Sequence, residues 1–354
     1  VIPRPARGLL VAAGAALSLA LVACSGGTAN VTRATTTSVP PTTLPPTTTS
    51  PDAAVAVGML GVGTRTDLYV DSSRPTPPNG GAPGAPNRAM PTVVWYPAAA
   101  PAGTAVANAA PDLTHGPYPL VVFAHGFNVT PLTYAALLTR WASAGYVVVA
   151  PAIPRLNANA PGGATEADLG LPNGGGGAAN DRDLEFVLSE ALRRSATPGD
   201  PLAGLVDPRA VGVAGHSDGE VLAYDLAFAS CCSDARVRAA IPMAGNLANA
   251  GALPAATGVP VLHVMDDHDE YDSYPASIAF DRQYLVAPRS LLTLVSAHHQ
   301  PPFTEPSDPH FDLVTKATVD FLDATLKHRA DGLAALAALA TASPSLATLE
   351  SDLP

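Results

Sequence analysis

In the stretch Val211-Gly212-Val213-Ala214-Gly215-His216-Ser217-Asp218-Gly219, an apolar run of small and β-branched residues stops abruptly at Gly-His-Ser-Asp-Gly. A helix-compatible pattern follows over residues 220–228. The succession predicts a strand, a sharp turn and a helix. Ser217 then sits at the tip of the turn in a strained backbone conformation. Its hydroxyl is held clear at the positive N-terminal end of the helix. Gly215 and Gly219 are required there, because a Cβ at either position would collide with the neighbouring strand or helix. In a chain with 30 glycines the bare G-x-S-x-G spacing is a weak signal. Its position between an apolar strand and a helix makes it a strong one.

Short apolar segments recur on both sides of this turn. Upstream, residues 64–70, 90–96, 120–124 and 146–150 read as strands, with Pro91 tolerated near the start of its strand. Pro131 opens a helix that places Tyr134, Leu137, Leu138 and Trp141 on one apolar face, and Gly145 ends it. Asn180 or Asp181 caps a second helix through Arg194, with Leu184, Val187, Leu188 and Leu192 facing inward. Downstream, residues 236–242, 261–265 and 290–295 read as strands, the last of these ending the sheet, and 310–327 as a final amphipathic helix. Repeated β-α units of this kind predict one α/β domain over residues 53–330 with a mainly parallel sheet. The Gly-, Pro- and Ala-rich segment 154–179 reads as a loop that rims or partly lids a site. Residues 331–354 read as an Ala-rich, helical, peripheral tail.

The first fifty residues have a different character. Arg4 and Arg7 precede an apolar run over residues 9–23. At roughly fifteen residues it falls short of the about 20 that a membrane span needs. Residues 1–23 therefore read as a secretory signal. The run ends in Leu21-Val22-Ala23-Cys24, which resembles a bacterial lipobox. That resemblance implies cleavage before Cys24 and a diacylglycerol on its sulfur. Residues 24–52 are Thr-, Pro- and Ser-rich and cannot bury enough apolar surface to offset their ordering entropy. They read as a stalk. The expected location is outside the cytoplasmic membrane, lipid-anchored or secreted.

The net charge of −11 argues against a nucleic-acid partner, whose phosphates need a basic face. Cys231 and Cys232 are adjacent. Neighbouring Cα atoms are about 3.8 Å apart, whereas ordinary disulfides span about 4.4–6.8 Å, so two free or buried thiols are the plainer reading and a strained bridge between the neighbours is the alternative. No Cys/His spacing suits zinc.

A serine hydroxyl is a poor nucleophile without a base, and the base needs an acid to orient it. Downstream of Ser217, one apolar strand runs into Asp266-Asp267-His268-Asp269-Glu270 and another into Ser296-Ala297-His298-His299-Gln300. Both segments fall just past C-terminal strand ends, where open α/β sheets bind ligands. The first offers an acid, with Asp267, Asp269 and Asp272 as candidates. The second offers a base, His298 or His299. His263 lies mid-strand and reads as a core histidine. The Asp/His cluster lacks the Gly turn and regular oxygen ligands of a calcium loop, so no metal and no cofactor are expected.

With these pieces in place the chain resembles the α/β-hydrolase superfamily over most of residues 55–328. The nearest group contains dienelactone hydrolases, platelet-activating-factor acetylhydrolases, chlorophyllases and cutinase-like polyester hydrolases. The matching pieces are Trp95-Tyr96-Pro97, Gly116-Pro117-Tyr118-Pro119 through to His125-Gly126-Phe127, Gly-His-Ser-Asp-Gly, and the acid and base segments. The resemblance implies Asp269 as the triad acid and His299 as the base, with Ser217 as nucleophile. It also implies the Phe127 amide as one oxyanion donor, beside that of Asp218, the residue after the nucleophile; His125 is then a structural turn residue. Asp266 stands where the family usually has Gly, and Glu220 replaces a common Gly, which puts the packing of its helix in question. The expected activity is hydrolysis of small-molecule or lipid carboxylic esters by a monomer. An envelope acyltransferase on the same triad, or a non-catalytic lipoprotein of the same fold, are the alternatives.

Overall fold

The computed structural model describes residues 60–154, 156–165, 177–247, 255–285 and 288–353. The signal, Cys24 and stalk expectations, and part of the 154–179 loop, lie outside these residues. Among the described residues no helix is long and apolar enough to cross a membrane.

Ten strands form one sheet: β1 (Gly61–Asp71), β2 (Arg88–Ala98), β3 (Ala105–Ala107), β4 (Tyr118–Ala124), β5 (Val147–Pro151), β6 (Val206–His216), β7 (Val237–Met243), β8 (Val261–Asp266), β9 (Arg289–Leu294) and β10 (Ala347–Ser351). Their spatial order is β10-β9-β8-β7-β6-β4-β5-β2-β1-β3. From β5 to β9 every neighbouring pair is parallel. Strand β2 joins β5, and β10 joins β9, in the antiparallel sense. The parallel strands are buried throughout or nearly so, as expected for strands covered on both faces.

The helices are α1 (Ala135–Ser143), α2 (Gly177–Ser195), α3 (Asp218–Phe228), α4 (Tyr274–Tyr284), α5 (Pro301–Thr304), α6 (Phe311–Leu326) and α7 (Gly332–Ala342). Two apolar cores follow. One lies under α1, α6 and α7 and includes Trp141, Phe321, Leu322 and Leu336. The other lies under α2, α3 and α4 and includes Leu184, Val187, Tyr224 and Phe280. Across the first core the Trp141 indole donates to Thr318 Oγ1 at 2.9 Å. This satisfies a donor that would otherwise be buried without a partner.

Three expectations need correction. The C-terminal tail is not peripheral: Leu336, Ala340 and Ala347 join the core, and β10 pairs with β9. Strand β9 is therefore not the last. Cys231 and Cys232 are joined by a disulfide across Cα atoms 3.8 Å apart, so adjacent thiols are paired here despite the close spacing. Helix α4, between the acid segment and β9, carries no clear apolar stripe in the sequence and was not foreseen.

Candidate active site

The C-terminal ends of the parallel strands set the site. Strand β6 ends at His216, and Ser217 takes φ 59° and ψ −126° before α3 begins at Asp218. This positive φ is costly for a residue with a Cβ, and the surroundings hold it in place. The Ser217 amide donates to Met243 O at 2.9 Å, and Ser217 O accepts from the Glu220 amide at 2.8 Å. The flanking glycines permit the close crossing. A Cβ on Gly215 would lie 1.9 Å from Gly219 O, and one on Gly219 2.2 Å from Ala124 O.

Ser217, His299 and Asp269 come together although they lie far apart in the chain. His299 Nε2 is 2.9 Å from Ser217 Oγ, and His299 Nδ1 is 2.7 Å from Asp269 Oδ2. Asp269 Oδ1 also accepts the Tyr271 and Asp272 amides, both at 2.8 Å. Burial raises the Asp269 pKa, but the His299 bond and the two amides outweigh it and hold the carboxyl below its ordinary range. For His299, burial opposes protonation, while the Asp269 bond and the charges of Asp269, Asp272 and Glu270 favour it more strongly. Its pKa ends above the ordinary 6.5.

The other candidates fall elsewhere. His298 is 66% exposed at its side chain and pairs with Glu270 at 3.3 Å. Asp267 pairs with His268 and accepts the Ser296 amide. Asp272 lies close enough to feel Glu220, His299 and Asp269. Burial first, then the Glu220 charge, push its carboxyl up to about 7. Gly126 abuts Ser217: a Cβ on Gly126 would lie 3.0 Å from Ser217 Cβ. Asp218 follows Ser217 directly in the chain, and Phe127 follows Gly126. His125 is wholly buried, its Nδ1 on Gly126 O at 2.7 Å and its Nε2 accepting from the Ile153 amide at 3.0 Å. Burial pushes it down to about 4, so it is a neutral turn residue.

Several groups around the site were not foreseen. Tyr134 Oη accepts the Gly126 amide at 3.2 Å and lies 2.8 Å from His216 Nδ1, while His216 Nε2 lies 2.7 Å from His299 O. Glu220 is fully buried beside the turn. Its Oε2 accepts the Gly245 amide at 2.7 Å, and its Oε1 lies 3.4 Å from His263 Nε2. His263 Nδ1 in turn faces Asp281 Oδ1 at 3.2 Å, and Asp281 Oδ2 pairs with Arg289 at 3.0 Å. Burial opposes the charge on His263, but Glu220 and Asp281 overcome it and raise the imidazole to about 10. The core histidine anticipated from the sequence is therefore pushed toward its charged form. In the sequence, a Glu within an apolar helix pattern gives no sign that its charge is met internally.

Asp266, at the end of β8, is also fully buried. Neither carboxyl oxygen has a hydrogen-bond partner among the described residues. An oxygen of Asp266, an oxygen of Asp269 and a ring nitrogen of His299 all lie within 4.8 Å of one another. Three such groups could ligate a cation, but both nitrogens of His299 are already engaged, by Asp269 and by Ser217. The arrangement fits proton transfer between a hydroxyl and an imidazole.

The profile of the chlorophyllase family matches residues 97–255, which include the candidate oxyanion segment and the Ser217 turn. No curated protein sequence matches the chain. Among solved structures, the ferulic acid esterase from Streptomyces cinnamoneus is similar at a TM-score of 0.55 and 24% identity, over 78% of this chain and 92% of that one. With the strand order and the strand-turn-helix at Ser217, these likenesses show an α/β-hydrolase fold.

Proposed function

We propose that this protein is a serine esterase that hydrolyses carboxylic esters through Ser217, His299 and Asp269. The observation that carries the reading is the double engagement of His299, at 2.9 Å to Ser217 Oγ and 2.7 Å to Asp269 Oδ2. Asp269 fixes the tautomer with hydrogen on Nδ1, which leaves the Nε2 lone pair facing the serine hydroxyl. His299 takes the Ser217 proton as Oγ attacks the ester carbonyl. The amides of Phe127 and Asp218 receive the oxyanion. The imidazolium then protonates the leaving alcohol, and water repeats the sequence on the acyl-enzyme. The chlorophyllase profile and the similar feruloyl ester hydrolase support ester cleavage.

The lipobox-like Leu21-Val22-Ala23-Cys24 supports an enzyme anchored by a diacylglycerol on Cys24 outside the cytoplasmic membrane. Metabolic labelling with a fatty-acid probe tests this, since Cys24→Ala abolishes incorporation if the reading is right. For the chemistry, the test is a fluorophosphonate probe and a short p-nitrophenyl ester. Ser217→Ala should remove labelling and lower kcat by about 10⁴ or more. Labelling that survives this substitution overturns the assignment. Release of free acid, rather than transfer to an added alcohol, distinguishes hydrolysis from acyl transfer.

A further inference from the structure

We infer that Asp266 is a reserve acid for His299, able to take over the orienting role when Asp269 is lost. This rests on the reading of Ser217, His299 and Asp269 as a catalytic triad. The geometry is specific. Asp266 sits at the last position of β8, three residues before Asp269, with a carboxyl oxygen within 4.8 Å of both Asp269 and a ring nitrogen of His299. It is fully buried, and neither of its oxygens has a hydrogen-bond partner among the described residues. A buried carboxyl with no partner is costly, and nothing in its own surroundings offsets that cost.

The two carboxyls cannot both be charged at this distance in a buried place. Asp269 holds the charge because it accepts the His299 bond and two amides. Asp266 is left neutral: burial, then Asp269, Glu220 and Glu270, push its carboxyl well above the ordinary range. Removal of Asp269 takes away the like charge and frees the His299 Nδ1–H, a hydrogen-bond partner that offsets the burial Asp266 still has, so Asp266 gives its proton to solvent and ionises. The space vacated beside Nδ1 lets its carboxylate rotate the short distance to accept the Nδ1–H bond. No bond other than this O–H is broken.

The test is a set of substitutions at the acid end. In a triad with a single acid, disabling that acid costs about 10⁴ in kcat. Here Asp269→Ala should cost only about 10²-fold. Asp269→Asn should cost more than Asp269→Ala, because its amide still fills the place beside Nδ1. Asp266→Asn combined with Asp269→Ala should fall by about a further 10²-fold. Asp272→Asn in the Asp269→Ala background should change kcat less than about threefold. Fluorophosphonate titration of competent sites corrects each kcat for misfolded protein. Asp269→Ser, which keeps a small polar group for the Tyr271 and Asp272 amides, serves if Asp269→Ala does not fold. The pH profile provides a second readout. The acid limb of Asp269→Ala should stay near its wild-type position and drop only in the double variant, since a carboxylate still supports the imidazolium. The inference is overturned if Asp269→Ala is as inactive as the double variant, or if Asp272→Asn is what removes the residual activity. Loss of labelling in no variant, Ser217→Ala included, would instead overturn the esterase reading itself.

Discussion

The imidazole Nε2 of His216 stands 2.7 Å from the carbonyl oxygen of His299, so the residue preceding the proposed nucleophile holds the backbone of the proposed base. The proton assignment follows from the neighbours. A carbonyl only accepts, so Nε2 carries the hydrogen, and Nδ1 accepts from the Tyr134 hydroxyl at 2.8 Å. Burial, and then the charge on His299, push His216 down to about 3, which keeps it in this neutral form. The Gly126 amide completes the chain by donating to Tyr134 Oη. One polar line thus runs from the Gly126 amide through Tyr134 and His216 to the backbone of His299.

Breaking that line should be felt at all three places. Tyr134→Phe leaves His216 Nδ1 and the Gly126 amide buried without a partner. It should cost about 1–3 kcal/mol of stability and lower kcat with little change in KM. Chemical denaturation and steady-state kinetics on one short ester check both. An unchanged kcat would show that the line is structural only.

The pH dependence should report on His299. The base must be neutral to accept the serine proton, and its pKa is raised above 6.5, chiefly by the Asp269 bond against the opposing effect of burial. The acid limb of kcat/KM should therefore have its midpoint above pH 6.5, with activity falling as pH drops through it. A limb below 6.5 in the wild-type enzyme would contradict the Asp269–His299 pairing.

His263 should give stability its own pH signature. Its folded pKa, raised to about 10, exceeds the unfolded value of about 6.5. The contribution is complete below pH 6.5 and declines as pH rises toward 10. Thermal unfolding from pH 6 to 10 should show that decline, and His263→Leu should flatten it. Glu220→Ala, which leaves the buried Gly245 amide unpaired and removes one of the two carboxylates facing His263, should cost about 1–3 kcal/mol.

The glycines at the turn allow a sharper test. Alanine at Gly215 or Gly219 would push a Cβ within 1.9 or 2.2 Å of a backbone oxygen, where no side chain can yield. Either substitution should abolish labelling by the fluorophosphonate and reduce soluble expression. Gly163→Ala, where a Cβ meets nothing within 4 Å, serves as the contrast despite its positive φ.

Much of this is legible in the sequence. The buried parallel strands announce themselves as short β-branched runs, and Ser217, Asp269 and His299 each follow one of them. What stayed hidden were interactions whose partners lie far away in sequence. A charge such as Glu220 reads as solvated because the amide and imidazolium that receive it come from 25 and 43 positions further on. Asp266 stands out in the sequence only as a departure from the resembled family's usual Gly, and its burial shows in the fold alone. Strand β10 is five residues long inside an Ala- and Ser-rich tail, so neither length nor alternation marked it. At Cys231 and Cys232 ordinary disulfide spacing favours free thiols, but a bridge between adjacent residues does not obey it.

The pairing of β10 with β9 has a consequence for the chain as an object in solution. Without residues 347–351, the outer N–H and C=O groups of Leu291–Leu294 would stand open, an invitation to any other extended segment. The present border carries Glu350, held by Arg282, and ends in Ser351, a poor template for recruitment. Proteolytic removal of residues 343–354 would therefore endanger solubility first, through sticking between copies, while Ser217, several strands away, remained in place.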